Sequence, residues 1–215
     1  MENIYKAILF DLDGTLLDSF SLHYEAYDVM FAQFGISMSK ELFLKSYSPN
    51  WYRTYQAFGL PNKHWDEANE LWLEEAEKRR ANLFDGVVEI LDELSSVYAL
   101  GIVTSGSKSR VIRDLDRTGI SAYFETVVTG DDIREPKPAP EGLEIALNAL
   151  AIEPNYAIYV GDAHADFEMA RAAGVRFFGV PSEFANLVSD HAEYEIQSIT
   201  ALPRSLGLNN ESNVG

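Results

Sequence analysis

A chain of 215 residues, 47% of them apolar and none of them cysteine, can bury a sizeable core but offers no disulfide and no thiolate as nucleophile or metal ligand. Its 17 basic and 34 acidic residues leave a net charge of −17, which repels a phosphate backbone and argues against nucleic acid as a partner. The N-terminal apolar run at 7–10 is too short for a secretion signal or a membrane span, so the expectation is a cytoplasmic protein without a membrane partner.

The first predicted element is that run, "AILF", a strand ending at Asp11 in "DLDGT", where two aspartates stand one residue apart before a glycine. From Leu16 to about Leu83 no strand pattern shows, and long amphipathic stretches predict an all-helical insertion with "SPNWYRTYQAFGLPN" as a helix–loop–helix tip. Within it Trp51, Tyr52, Tyr55 and Phe58 read mainly as helical core. Arg53 is the residue there suited to a substrate anion. The run "DEANELWLEEAEKRR" reads as a solvated helix face, acids early and bases late.

Beyond Leu83 the pattern alternates. A helix carrying Val87, Ile90, Leu91 and Leu94 leads to the strand "LGIV" at 100, then "TVV" at 126. A second helix with Leu143, Ala146, Leu147 and Leu150 leads to "AIYV" at 157 and "VRFFGV" at 175. Alternation of this kind predicts an α/β fold, a doubly wound and mainly parallel sheet. Residues 1–15 and 84–215 would form that core, and 16–83 an all-α segment inserted after the first strand, with hinges near 15–18 and 83–86. No heptad or apolar stripe sets an oligomeric state, and "GLNNESNVG" at the C-terminus reads as disordered.

Polar residues follow the predicted strands: Asp11 and Asp13, then Thr104 with Ser105, Gly106 and Ser107, then Lys137, then Asp162 and Asp166. In a parallel sheet these ends lie on one edge and converge. Carboxylates gathered there repel unless a cation relieves them, and Mg²⁺ does so with oxygen ligands while leaving positions for water and phosphate. Lys137 adds a positive charge, and the N–H groups around Gly106 at a helix start suit phosphate oxygens. One aspartate of the pair can attack phosphorus while the other serves as general acid.

The four segments "DLDGT", "VTSGS", "KPAPEGLEIAL" and "YVGDAHADFEMARAAG" resemble, in this order, the four motifs of the haloacid dehalogenase superfamily of phosphohydrolases, and the helical insertion resembles its small α-helical cap. The ending "SEF…HAEYEIQSITAL" resembles the family's last strand and helix. The resemblance implies that Asp11 becomes an aspartyl-phosphate while Asp13 protonates the leaving alcohol and then deprotonates water. It implies Mg²⁺ held by the Asp11 carboxylate, the Asp13 carbonyl and Asp162, with Asp166 supporting from behind. Thr104 and its neighbours, Ser105 and Gly106, would bind phosphate, and Lys137 would stabilise both Asp11 and the transferring group. His23 occupies the place of a histidine that faces the leaving group in several capped relatives.

These roles imply a phosphatase of a small phosphorylated metabolite, of the phosphoglycolate phosphatase type, with pyrophosphate hydrolysis also open. A β-phosphoglucomutase-like sugar phosphomutase and a non-catalytic binding module are the alternatives. Asp13 argues against dehalogenation and phosphonate chemistry, which need no second acid, and with them against a Schiff base on Lys63.

Overall fold

A computed structural model of the chain describes residues 4–48, 50–183 and 195–208. In chain order, β1 (Ala7–Phe10) and β2 (Leu17–Asp18) precede the helices α1 (Phe20–Gln33), α2 (Lys40–Ser46), α3 (Trp51–Ala57) and α4 (Trp65–Glu77), and β3 (Asn82–Leu83) closes that segment. There follow α5 (Val87–Ser95), β4 (Ala99–Val103), α6 (Lys108–Thr118), β5 (Thr126–Val128) and α7 (Glu141–Leu150). The chain then forms β6 (Ala157–Gly161), α8 (His164–Ala173), β7 (Arg176–Gly179) and α9 (Leu202–Ser205).

Side-chain alternation in β1 explains the two layers. Ile8 and Phe10 point to one face, where α5 and α6 cover them with Val87, Leu91, Val111 and Leu115. Ala7 and Leu9 point to the other, against Leu143, Leu147 and Met169 of α7 and α8. A strand buried on both faces reads as an unbroken apolar run, which is what "AILF" is.

The sheet order is β5-β4-β1-β6-β7, and every pairing in it is parallel. The chain winds from β1 outward to β4 and β5, then crosses back to β6 and β7. Strand order therefore reverses between β1 and β6, and the carboxyl ends of these two strands open a crevice. Asp11 and Asp162 are the residues that leave them.

The helical segment has its own core, built on Phe20, Tyr27, Met30, Phe31, Phe43 and Tyr55. The expected aromatic core thus holds for Tyr55, with Trp51 and Phe58 packed on it, whereas Tyr52 is 42% exposed and lies outside it. The expectation of a segment without strands is corrected at its ends, because β2 and β3 form an antiparallel ribbon with Leu17 opposite Leu83 and Asp18 opposite Asn82. Two-residue strands are too short for alternation to show.

Among the described residues no helix is long and apolar enough to cross a membrane. Most of the stretch expected to form the last strand, 184–194, and nearly all of the C-terminal tail, 209–215, lie outside the described residues. Glu195 bridges to Gly179 beyond that gap, and a 3₁₀ turn at Ile199–Ala201 leads into α9.

Candidate active site

Lys137 enters the crevice from the loop before α7 and is buried. Its Nζ stands 2.8 Å from Asp11 Oδ1 and 2.8 Å from Asp166 Oδ1, and it donates to the Tyr159 hydroxyl at 2.8 Å. Burial opposes a charged lysine, but the two carboxylates outweigh it and raise its pKa. Tyr159, on β6, is fully buried, and its single proton serves Val103 O at 2.9 Å or Asp166 Oδ1 at 3.2 Å. Asp166 Oδ2 accepts the Ala163 N–H at 2.9 Å, so this one residue both caps the start of α8 and anchors the lysine.

Asp11, Asp162 and Asp166 each present a carboxylate oxygen within 4.8 Å of the others, all three buried. Burial pushes Asp11 up to about 7, with Lys137 opposing the rise and Asp166 adding to it. Asp162 is raised well above the usual carboxylate range by burial and then by Asp11 and Asp166, against a hydrogen bond with Ser182 that lowers it, and its buried Oδ2 has no hydrogen-bond partner among the described residues. Crowded carboxylates with an orphaned oxygen fit a hard divalent cation. Lys137 and the Ala163 N–H already engage both oxygens of Asp166, so Asp11 and Asp162 are the carboxylates that could hold the ion directly.

Gly14 leaves no room beside this cluster. Its φ is +78°, and a Cβ there would lie 2.2 Å from Asp162 Oδ2. Gly14→Ala should cost about 1–3 kcal/mol in backbone strain. It should also push Asp162 aside, so that Mg²⁺ no longer raises the melting temperature in a thermal scan; an unchanged Mg²⁺ response would show that Asp162 is not a ligand.

Asp13 has different surroundings. Arg110 of α6 grips it with both terminal nitrogens, NH1 to Oδ1 at 3.0 Å and NH2 to Oδ2, and His23 Nε2 of α1 lies 3.3 Å from Oδ1. Burial works to raise the Asp13 pKa, but the Arg110 guanidinium and then His23 hold it well below the usual range.

The turn after β4 brings Thr104, Ser105 and Ser107 to the same place. Thr104 is buried, its Oγ1 faces the Gly106 N–H at 3.3 Å, and the buried hydroxyls of Ser105 and Ser107 have no partner among the described residues. A Cβ on Gly106 would stand 2.3 Å from Arg110 NH2. A side chain there would push against the Arg110 guanidinium, a crowding that the reading of this glycine as a phosphate cradle did not contain.

A cavity of about 860 Å³ lies between the crevice and the helical segment. Asp11, Asp13, His23, Arg53, Thr104, Ser105, Gly106, Lys137 and Asp162 all line it. Asp166 does not, since it sits behind Lys137, and Lys63 is exposed away from it. Tyr47, Trp51 and Trp72 close the other side.

With this geometry in view, the likeness to known proteins is specific. The pattern of the haloacid dehalogenase-like hydrolases matches residues 8–180. The chain belongs to that family. It is 37% identical over 179 residues to the pyrophosphatase PpaX of Bacillus velezensis, covering 81% of this chain and 82% of the relative. Validoxylamine A 7'-phosphate phosphatase of Streptomyces hygroscopicus subsp. limoneus is 32% identical over 184 residues, covering 82% and 86%. In fold it matches a solved structure from Haemophilus somnus, described as a predicted phosphoglycolate phosphatase, with a TM-score of 0.84, 19% identity and coverage of 95% and 99%. The protein is accordingly a haloacid dehalogenase-like hydrolase, and its five-stranded core with a helical cap is the fold of its relatives.

Sequence reasoning missed Arg110, Tyr159 and the aromatic wall of Tyr47 and Trp72. Tyr159 was within reach, because alternation along "AIYVG" puts it on one face with Ala157. Arg110 carried only a weak local cue, the four-residue spacing to Asp114 on α6.

Proposed function

We propose that this haloacid dehalogenase-type hydrolase is a Mg²⁺-dependent phosphatase that cleaves a small phosphorylated metabolite through a phospho-Asp11 intermediate. The observation that carries the reading is the pairing of a buried Asp11–Lys137–Asp166 array with a second acid, Asp13, on the same cavity. Residues 16–83 act as the cap and residues 1–15 and 84–215 as the core. Asp11, Asp162 and the Asp13 carbonyl would hold Mg²⁺, which when bound offsets the negative charge brought together at the phosphoryl group.

Lys137 fixes one oxygen of Asp11 and leaves the other to attack phosphorus in line. As the new P–O bond forms, the bond to the leaving oxygen breaks, and Asp13, which takes up a proton from water once it is released from the Arg110 grip that holds it ionised here, supplies the proton that oxygen needs. Thr104, Ser105 and the N–H groups of their turn hold the phosphoryl oxygens, and Lys137 opposes the charge developing on them. Asp13 then takes a proton from water as it attacks the phosphorus, and phosphate departs from a restored Asp11.

Pyrophosphate is a second reading of the same site. Lys45, Arg53 and Arg134 line the cavity of a protein with net charge −17, and a ring of cations there suits an anionic leaving group. The PpaX relatives support it. The test is phosphate release from 2-phosphoglycolate, hexose phosphates, nucleotides and pyrophosphate with Mg²⁺. Efficient release from one of them supports the reading and names the substrate. Isomerisation of a hexose phosphate without release would replace it by a phosphomutase.

A further inference from the structure

The helix that follows the phosphate turn, α6, takes its cap from another part of the chain. Ser107 stands at the capping position before Lys108, yet its side chain makes no capping bond, and its buried hydroxyl has no partner among the described residues. The carboxylate at the helix start belongs instead to Asp131, 23 residues beyond Lys108, and its Oδ2 accepts the Lys108 N–H at 2.8 Å. An anion there suits both the unpaired N–H groups of a helix start and the positive end of its dipole. The Lys108 N–H is thereby withdrawn from any phosphoryl group, and the donors left for one belong to the turn itself.

Asp131 lies on the 3₁₀ turn Gly130–Asp132, just after β5, and that turn is fitted to residues 105–108. The Gly130 N–H donates to the Gly106 carbonyl at 2.9 Å. No side chain has room at Gly130, since a Cβ there would lie 2.6 Å from the Ser105 carbonyl oxygen, a backbone atom that cannot swing aside. Asp132 closes the 3₁₀ turn on itself, accepting from the Thr129 N–H at 3.0 Å and from the Thr129 hydroxyl at 2.6 Å. Its second oxygen meets Lys108 Nζ at 2.8 Å, a surface pair that contributes little by itself.

Peptide planarity extends these contacts to the donors. In a trans peptide the carbonyl of one residue and the N–H of the next point in opposite directions. With the Gly106 carbonyl held toward Gly130, the Ser107 N–H faces the other way; with the Ser105 carbonyl packed on Gly130, so does the Gly106 N–H. Successive N–H groups turned to one side are what an anion-binding turn presents. Ser105, Gly106, Ser107, Gly130 and Asp131 all line the cavity.

We propose that Asp131 is a positioning residue for the phosphate turn: it fixes the start of α6 and, together with Gly130, keeps the Ser105 and Gly106 carbonyls turned away so that the N–H groups behind them meet the phosphoryl oxygens. This rests on the reading of residues 104–106 as the group that holds phosphate.

The test is the Kd of inorganic phosphate for the full chain with Mg²⁺, measured by calorimetry. Asp131 is exposed, so replacing it leaves the core intact. Asp131→Ala should raise the Kd by about fivefold or more, whereas Asp131→Asn, which loses the same charge but keeps an oxygen acceptor, should stay within about twofold of wild type. Gly130→Ala should weaken binding by about tenfold or more, because the Ser105 carbonyl has to move. The turn touches only the transferred group, so Asp131→Ala should also lower kcat/KM by one common factor on every ester the protein cleaves. A role through charge alone predicts tighter phosphate binding in both Asp131 variants. A role in folding alone predicts a lower melting temperature with an unchanged Kd. Either result, equal losses in the alanine and asparagine variants, or a loss that varies with the leaving group would overturn the proposal. Thr104→Val separates it from the reading beneath it. If that variant weakens phosphate binding and Asp131→Ala does not, only the role of Asp131 fails; if neither does, or if phosphate does not bind the unaltered protein, the phosphate turn fails as well. Should Gly130→Ala not fold, the two Asp131 variants decide the matter.

Discussion

Asp11→Asn is expected to abolish phosphate release while raising the melting temperature of the metal-free protein at pH 8. An amide oxygen is a poor nucleophile for phosphorus, and losing the nucleophile should cost on the order of 10³-fold or more. The stability change follows from where Asp11 sits. Its pKa stands at about 7 in the folded chain against 3.8 for an ordinary aspartate, with burial as the first cause. An acid raised in this way favours folding below its unfolded pKa, and that contribution is lost as pH rises through 7. At pH 8 the carboxylate is charged, buried and close to Asp162 and Asp166, so a neutral amide of the same shape removes a cost. Lys137 keeps Asp166 and Tyr159 as partners. A melting temperature several degrees below wild type at pH 8 would show that the Asp11–Lys137 pair outweighs the burial penalty, and residual phosphate release near wild-type rate would remove Asp11 from the reaction.

Withdrawing divalent cations has the second large effect. EDTA should bring turnover to background, and Mg²⁺ should stabilise the protein far more at pH 8 than at pH 5. Asp11 and Asp162 both have raised pKa values, so the metal-free protein loses stability as each ionises, for Asp11 as pH climbs from about 4 through 7. The ion binds the deprotonated carboxylates and restores what their repulsion takes away. A hundredfold excess over Kd corresponds to about 2.7 kcal/mol, or roughly 5–10 °C in a chain of this size. Differential scanning at the two pH values checks this. A Mg²⁺ shift of equal size at both, or one that survives Asp162→Asn, would locate the ion elsewhere.

The core of this fold is written locally. Runs such as "AILF" and "AIYV" are strands buried on both faces, and the polar residue that ends each one reports the sheet edge; a parallel sheet then assembles Asp11, Thr104 and Asp162 without further information. Lys137 was legible by its place beyond the third strand. Arg110 was not, because "KSRVIRDLDRT" has the look of a solvated amphipathic helix and the partner that buries its arginine is 97 residues away. The ribbon at Leu17 and Leu83 escaped for a related reason, since its two halves are meaningful only as a pair. Tyr52 and Tyr55 show the limit inside one helix, where near neighbours of the same type take opposite fates according to what the other cap helices leave uncovered.

That ribbon also bears on how such a protein can diversify. Because Leu17 and Leu83 lie side by side, the chain leaves the sheet and comes back to it at almost one point, like a detour whose entrance and exit share a doorway. Whatever is threaded between them can be lengthened, shortened or replaced without altering the spacing of Asp11, Lys137 and Asp162, all of which belong to the other side of the door. The reacting groups can then be inherited unchanged while the wall that meets the substrate is rewritten.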